Sequence, residues 1–472
     1  MNIWKCKTPE QILEAAAATE LRKNLTAVDL AALGIGSVVG TGIFVATGQG
    51  AHLAGPGVLL SFIIAAVTCG FCALTYSELA CMFPIAGSTY SYSYVAFGEV
   101  IAWIIGWDLM LEYLVAASAV ASGWSTTFIG LIESAGVKLP KALTTTLIAG
   151  GVIDLPAVVI TLLITWVLFI GIRESAKINN IIVLVKIAVI LLFIFLGLRH
   201  VSLANLKPMM PFGWKGVMAG AAIIFFAYIG FDAVSTAAEE TKNPKKDVPL
   251  GLMLCLGVVI LLYVAVAFVL TGTVPFKEID VGNALPAALA RMGIRWGGAL
   301  VATGAIIGMV STLLVTLYGQ IRIFMVMARD GLIPPVFAKV HRRHKTPHIC
   351  TWITGVATAA IAGLFPLPMI IDLCNIGTLF AFVLVSIGVI VLRQKRPDLE
   401  RKFRTPGVPF TPLITVAFCF YLMYSLPTVT WFRFGAWLLG GLIIYFVYSI
   451  RHSRLQHPEG GTPAAVEKTA RP

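Results

Sequence analysis

The sequence has 472 residues, 58% of them hydrophobic and only 12% charged, with a formal net charge of +12. Soluble domains carry roughly 25% charged residues, and their cores stop growing at roughly 250–300 residues. No polar linker divides this chain into smaller soluble units, so it reads as an all-α polytopic membrane protein.

A bilayer-crossing helix takes roughly 20 mostly apolar residues. Apolar stretches between Pro, Gly and charged breaks predict twelve spans: 28–52, 58–82, 98–130, 156–172, 178–198, 216–239, 250–272, 298–328, 350–365, 370–392, 408–427 and 433–450. The third and eighth are overlong and are expected to tilt or project. The first 27 residues are polar and lack the apolar region and cleavage site of a signal peptide, so the first span is expected to stay in the mature protein. Residues 9–23 predict an amphipathic surface helix. The segment 451–472, rich in Gly and Pro from about residue 455, predicts a disordered tail.

An even number of spans places both termini on one side. Basic residues crowd that side, in the runs Lys5 to Lys23, Lys242 to Lys246, Lys339 to Lys345, Arg393 to Arg404 and Arg451 to Arg471. The other side holds fewer, such as Lys138, Arg199 and Lys277. The positive-inside rule makes the terminal side cytoplasmic, and the expected location is the plasma membrane. Basicity is then a topology signal, and nucleic acid is not expected as a partner. The run His341-Arg342-Arg343-His344-Lys345-Thr346-Pro347-His348 has no Cys or acidic residue and reads as a solvated basic loop rather than a metal site. Cys69 and Cys72 have C-x-x-C spacing, but they lie inside an apolar run with no second pair, which favours packing over redox or metal chemistry.

The first span contains Gly34-Ile35-Gly36-Ser37-Val38-Val39-Gly40-Thr41-Gly42-Ile43-Phe44. Each Gly costs a helix about 1 kcal/mol relative to Ala. Gly36 and Gly40 alone would suit close helix packing, a G-x-x-x-G spacing; the added Thr41-Gly42 favours local unwinding. The sixth span carries a second interruption, Phe225-Phe226-Ala227-Tyr228-Ile229-Gly230-Phe231-Asp232. The two breaks each begin a group of five spans, and paired interrupted helices in matching places point to a transporter's central site. A half-helix N-terminus offers amides to a carboxylate, and freed carbonyls accept from an ammonium. Both together suit a zwitterionic amino acid.

Three ionisable residues stand at membrane depth. Lys186 lies near the middle of the fifth span, where a lysine costs roughly 2.5–3.5 kcal/mol and is functional by default; the alternative is a structural pair with a carboxylate. Asp232 follows the second break and Glu112 lies in the third span. Each reads either as a proton carrier or as a buried, neutral or paired acid. Glu78, Glu239 and Glu240 lie nearer span ends and read as snorkelling, solvated acids.

Gly34 to Phe44, Phe226 to Pro244 and Tyr318 to Leu332 together resemble the amino acid/polyamine/organocation permeases, specifically the bacterial relatives of the cationic amino acid transporters, over about residues 20–450. The resemblance implies twelve transmembrane helices in a leucine-transporter-type 5+5 inverted repeat: 1–27 as a cytoplasmic segment, 28–198 and 216–392 as the two repeats, 408–450 as peripheral helices. It also implies that Gly40, Thr41 and Gly42 bind the substrate carboxylate, and that carbonyls of Val38, Phe226, Ala227 and Ile229 bind the ammonium. Phe226 would be an aromatic gate. Lys186 would stand where sodium-coupled relatives bind sodium, with Asp232 as the acid after the break, which implies proton coupling with no sodium and no cofactor. Expected partners are the L-amino acid and the lipid bilayer; a small single-span subunit is left open. The leading function is proton-coupled import of L-amino acids by alternating access. Amino acid exchange is the rival within this class. A nutrient sensor would carry a soluble output domain, and an intramembrane enzyme a nucleophile–base or metal constellation; the sequence offers neither.

Overall fold

The computed structural model describes residues 2–8, 25–83, 88–171, 176–341, 343–344 and 346–457. The predicted amphipathic helix at 9–23 lies outside them. Among the described residues there is no β-strand, only three isolated bridges.

Thr26 starts the first helix, α1 (Ala27–Val38). Its hydroxyl accepts from the Asp29 amide at 3.5 Å, while the Asp29 carboxylate accepts from the Thr26 amide at 2.9 Å. This reciprocal box satisfies donors that a helix start leaves free. A π-helical turn, Gly42–Ala46, and α2 (Thr47–Ala54) continue the same span after a break. Gly55-Pro56-Gly57 then turns the chain into α3 (Val58–Met82). The order continues with α4 (Ser88–Ala96), α5 (Glu99–Ser134), α6 (Leu155–Ile170), α7 (Ala176–Leu198) and α8 (Gly213–Ile224). After the second break come α9 (Ala233–Thr236), α10 (Pro244–Thr273), α11 (Ala284–Arg291) and α12 (Arg295–Arg329). Then follow α13 (His348–Leu364), α14 (Leu367–Lys395), α15 (Phe410–Tyr424) and α16 (Thr428–Ile444).

Among the described residues, eight helical segments are long and apolar enough to cross a membrane, and four shorter apolar helices occupy other predicted spans. The overlong spans are single helices: α5 has 36 residues and α12 has 35, each about 50 Å at 1.5 Å per residue. They pack along one another, α14 packs on α5, and α10 packs on α1 and α3. Large apolar side chains such as Leu184 and Phe195 on α7, and Phe410, Tyr424 and Phe432 on α15 and α16, face outward. Hydrocarbon is as apolar as they are, so this face needs no further cover.

Three expectations change. Glu78 is not solvated. It is enclosed and accepts from Arg393 at 2.9 and 2.7 Å and from the Thr405 amide at 2.7 Å, with Arg401 at 3.5 Å. The bundle end brings α14 and the loop before α15 over α3, so desolvation is met by pairing instead of by exposure. The histidine run is not a freely solvated loop. The rings of His341 and His344 stand 5.0 Å apart, His341 and His348 5.3 Å apart, and Phe169 packs against the first two. Among the described residues no group of His, Cys, Asp or Glu forms a metal site. Finally, the first residues of the expected tail are held: Ser453 donates to Glu99, and the Gln456 side-chain amide donates to the Asn2 carbonyl at 2.7 Å. Residues 458–472 lie outside the described chain. The eight cysteines are free, and Cys69 and Cys72 are buried, as the packing reading expects.

Candidate functional site

The first span breaks at Val39, whose extended backbone (φ −75, ψ 96) ends α1. Helical geometry resumes at Thr41. The amides of Thr41 and Gly42 stand in the first turn of the resumed helix, where no intrahelical acceptor exists and the dipole is positive. Carbonyls at the end of α1 lose their amide partners, which inside a membrane is costly unless other donors arrive. Here they do. Lys186 Nζ, on α7, donates to the Gly36 carbonyl at 2.6 Å and to Thr312 Oγ1, on α12, at 2.9 Å. The Tyr263 hydroxyl, on α10, donates to the Val38 carbonyl at 3.1 Å. The Val38 carbonyl is therefore already partnered by one donor. Thr41 Oγ1 donates to Met309 Sδ at 3.3 Å.

The second break follows α8. A 3-10 turn, Phe225–Tyr228, leads into extended Ile229 (φ −61, ψ 139) and Gly230 at φ +110. The Phe226 carbonyl accepts from the Ile229 amide at 3.3 Å. Asn375 Nδ2, on α14, donates to the Ala222 carbonyl at 2.6 Å, covering an acceptor freed where α8 tightens. The carboxyl of Asp232 folds back onto backbone amides around Gly230 and Ala233. The Phe226 ring is buried.

The two breaks meet with almost nothing between them. A Cβ on Gly42 would lie 2.3 Å from Ala227 Cα, and one on Gly230 would lie 2.8 Å from Ser37 Oγ. Position 42 thus faces 227 while 37 faces 230, so the two segments run antiparallel. Gly230 is also in the left-handed region that only Gly occupies without strain. At the end near residue 25 the same two spans are tied again: the Leu25 amide donates to the Glu240 carbonyl, and the Lys242 amide to the Leu25 carbonyl, both at 2.9 Å.

Of the residues singled out in the sequence, the fold sets the segment of Val38, Gly40, Thr41 and Gly42 against that of Phe226, Ala227 and Ile229, in direct approach at Gly42 and Ala227, while Gly40 faces Thr312. Lys186 joins them at the first break. Glu112, on α5, lies beside the Thr378 hydroxyl and within electrostatic reach of Asp232, and Tyr76 and Tyr113 share that neighbourhood. The reading from sequence missed Thr312, Tyr263, Met309 and Asn375. Asn375 carried a usable signal, an amide in mid-span; Thr and Tyr are too common in apolar spans to stand out.

The family model described as "Amino acid permease" matches residues 25–451. The chain is 49% identical to a methylthioribose transporter of Bacillus subtilis (strain 168), over 96% of this chain and 99% of the relative. It is 47% identical to the branched-chain amino acid permease BcaP of the same organism, over the same shares. It is 37% identical to the vacuolar cationic amino acid transporter 4 of Arabidopsis thaliana, over 80% of this chain and 64% of that one. The chain belongs to the amino acid permease family. This permease is a multi-pass membrane protein, and its relatives are transporters, not enzymes. The paired breaks thus lie in a family of transport proteins. Main-chain groups freed at such breaks are suited to hold the polar end of a small solute inside the bilayer.

Proposed function

We propose that this permease imports L-amino acids across the plasma membrane by alternating access, coupled to protons and indifferent to sodium, with both termini cytoplasmic. The fold behind it is the twelve-span inverted repeat, 28–198 and 216–392, with 408–450 peripheral. The observation that carries this reading is the antiparallel meeting of two unwound segments at Gly42 and Ala227. On this reading the helix-start amides of Gly40, Thr41 and Gly42 take the carboxylate and the carbonyls of Val38, Phe226, Ala227 and Ile229 the ammonium, two groups that an amino acid carries on one carbon. Phe226 closes over the bound substrate. The preferred side chains are neutral and aliphatic, in keeping with the apolar surroundings, with Glu112 as the mid-span acid outside the broken helices that would meet a cationic one. Exchange of amino acids is the alternative that the same site supports.

Uptake into proteoliposomes tests this, with labelled leucine, alanine, lysine and methylthioribose under separately imposed pH and sodium gradients. Accumulation of leucine driven by an inward proton gradient is expected. Competition should require both the free carboxylate and the free amine, so a methyl ester and a desamino acid should fail. Transport of methylthioribose alone would overturn the zwitterion reading. Leucine exchange without net accumulation would replace symport by antiport.

A further inference from the structure

Asp108 is a buried acid that the transport cycle above does not use. It lies on α5 one turn before Glu112, so the two side chains share a face. It is fully enclosed, and neither carboxyl oxygen has a hydrogen-bond partner among the described residues. Glu78 and Glu99 differ. Glu78 is paired with arginine, and Glu99 accepts from Tyr94 and Tyr445 at 3.1 Å and from Ser453.

Asp108 Oδ1 aims at α14 where Gly377 has no side chain. A Cβ there would stand 2.9 Å from Oδ1 and 3.9 Å from Glu112 Cβ. Both acids therefore open onto one notch. The titratable groups that face Asp108 are Glu112 on its own helix and Cys374 on α14. From α12 the neighbours are neutral: Gln320, which donates to the Met110 carbonyl at 3.2 Å, and Met327, packed against Gly106. Toward the chain termini, Tyr90, Tyr94, Trp103, Leu109 and Met327 form a closed cluster. Asp108 thus stands between that cluster and the pair Glu112–Asp232. An isolated charge in such a place is expensive, and a buried carboxyl avoids it by holding a proton.

We propose, resting on the proton-coupled reading above, that Asp108 is a second proton-holding carboxyl, which passes protons from Glu112 to the cytoplasmic side. When the cluster opens and water enters, the Asp108 O–H bond breaks and its proton leaves on water. The carboxylate then takes the proton of Glu112, whose O–H bond breaks as the new one forms. One proton has moved to water, Glu112 is left as carboxylate, and Asp108 is reloaded.

Asp108→Asn keeps the shape and removes the proton-carrying oxygen pair. In proteoliposomes, proton-driven accumulation should fall by about tenfold or more, substrate counterflow should stay near that of the unaltered protein, and Asp108→Glu should restore most of the coupling. Gly377→Ala, which narrows the notch but leaves both acids in place, should weaken accumulation in the same selective way. Infrared spectra should show one protonated-carboxyl band that Asp108→Asn removes. Undiminished accumulation in Asp108→Asn, or unaltered coupling in Gly377→Ala, overturns the role of Asp108 alone. Equal loss of counterflow and accumulation makes Asp108 a structural residue and overturns it too. An unaltered protein with no proton-driven uptake overturns the transport reading and this one with it.

Discussion

Gly42 shows how little room the crossing of the two breaks allows. A methyl group there would sit 2.3 Å from the Ala227 backbone, and backbone cannot yield as the tip of a side chain can. Gly42→Ala should therefore push the two unwound segments apart and abolish uptake. Gly70→Ala is the control, since a Cβ there meets nothing within 4 Å; it should gain slightly in helix stability and transport normally. Labelled uptake normalised to folded protein separates the two. Equal uptake in both variants would remove the close contact from the mechanism. The first break was legible because its cause is local: glycines at positions 36, 40 and 42 weaken the helix in their own sequence. What satisfies the freed carbonyls was not legible. Tyr263, Thr312 and Asn375 arrive from helices far along the chain, and no local pattern marks which mid-span hydroxyl or amide will meet which carbonyl.

Between elements, one end of the bundle carries a buried ion pair of its own. Glu78 joins α3 to α14 and to the loop before α15 through Arg393, Arg401 and the Thr405 amide. A position near a span end suggested solvation, because sequence does not reveal that the distant loop around Thr405 folds over α3. Removing one partner of a buried pair leaves the other uncompensated, which costs about 3–5 kcal/mol; Arg393 is 26% exposed, so the lower part of that range applies. Glu78→Gln should lower the thermal midpoint in detergent while the folded fraction still transports, and an unchanged midpoint would count against the pairing. The histidine cluster behaves differently. Burial, together with His344, His348 and Arg343, holds the His341 imidazole below its ordinary value of 6.5. The docked loop then binds fewer protons than the undocked one, so docking is stable above that value and weakens as pH falls through it. Hydrogen exchange at His341, His344 and Thr346 should accelerate on acidification, and His341→Gln should flatten that dependence.

Across the whole molecule, Lys186 joins the first break to two scaffold helices at once. Its ammonium reaches the Gly36 carbonyl on α1 and the Thr312 hydroxyl on α12 from its own place on α7, and its stem fills the space that Gly308 leaves open. A proton that comes and goes there would make and release that three-helix contact, and release is what a rocking bundle needs in order to change the face from which its site is reached. Two substitutions separate charge from titration. Lys186→Ala removes the contact in every state, so substrate binding should survive at reduced affinity while proton-driven accumulation is lost. Lys186→Arg keeps a positive charge that proteins do not deprotonate, so the contact should persist while the cycle stalls; binding should stay near normal and uptake should fall as far as in Lys186→Ala. Proteoliposomes with independently set pH and sodium gradients, paired with equilibrium binding on the same preparations, make the distinction. Sodium-driven accumulation in the unaltered protein, or proton-driven accumulation that Lys186→Arg sustains, would show that the bridge between the break and the scaffold is structural and that coupling resides in the carboxyls on the other side of the site.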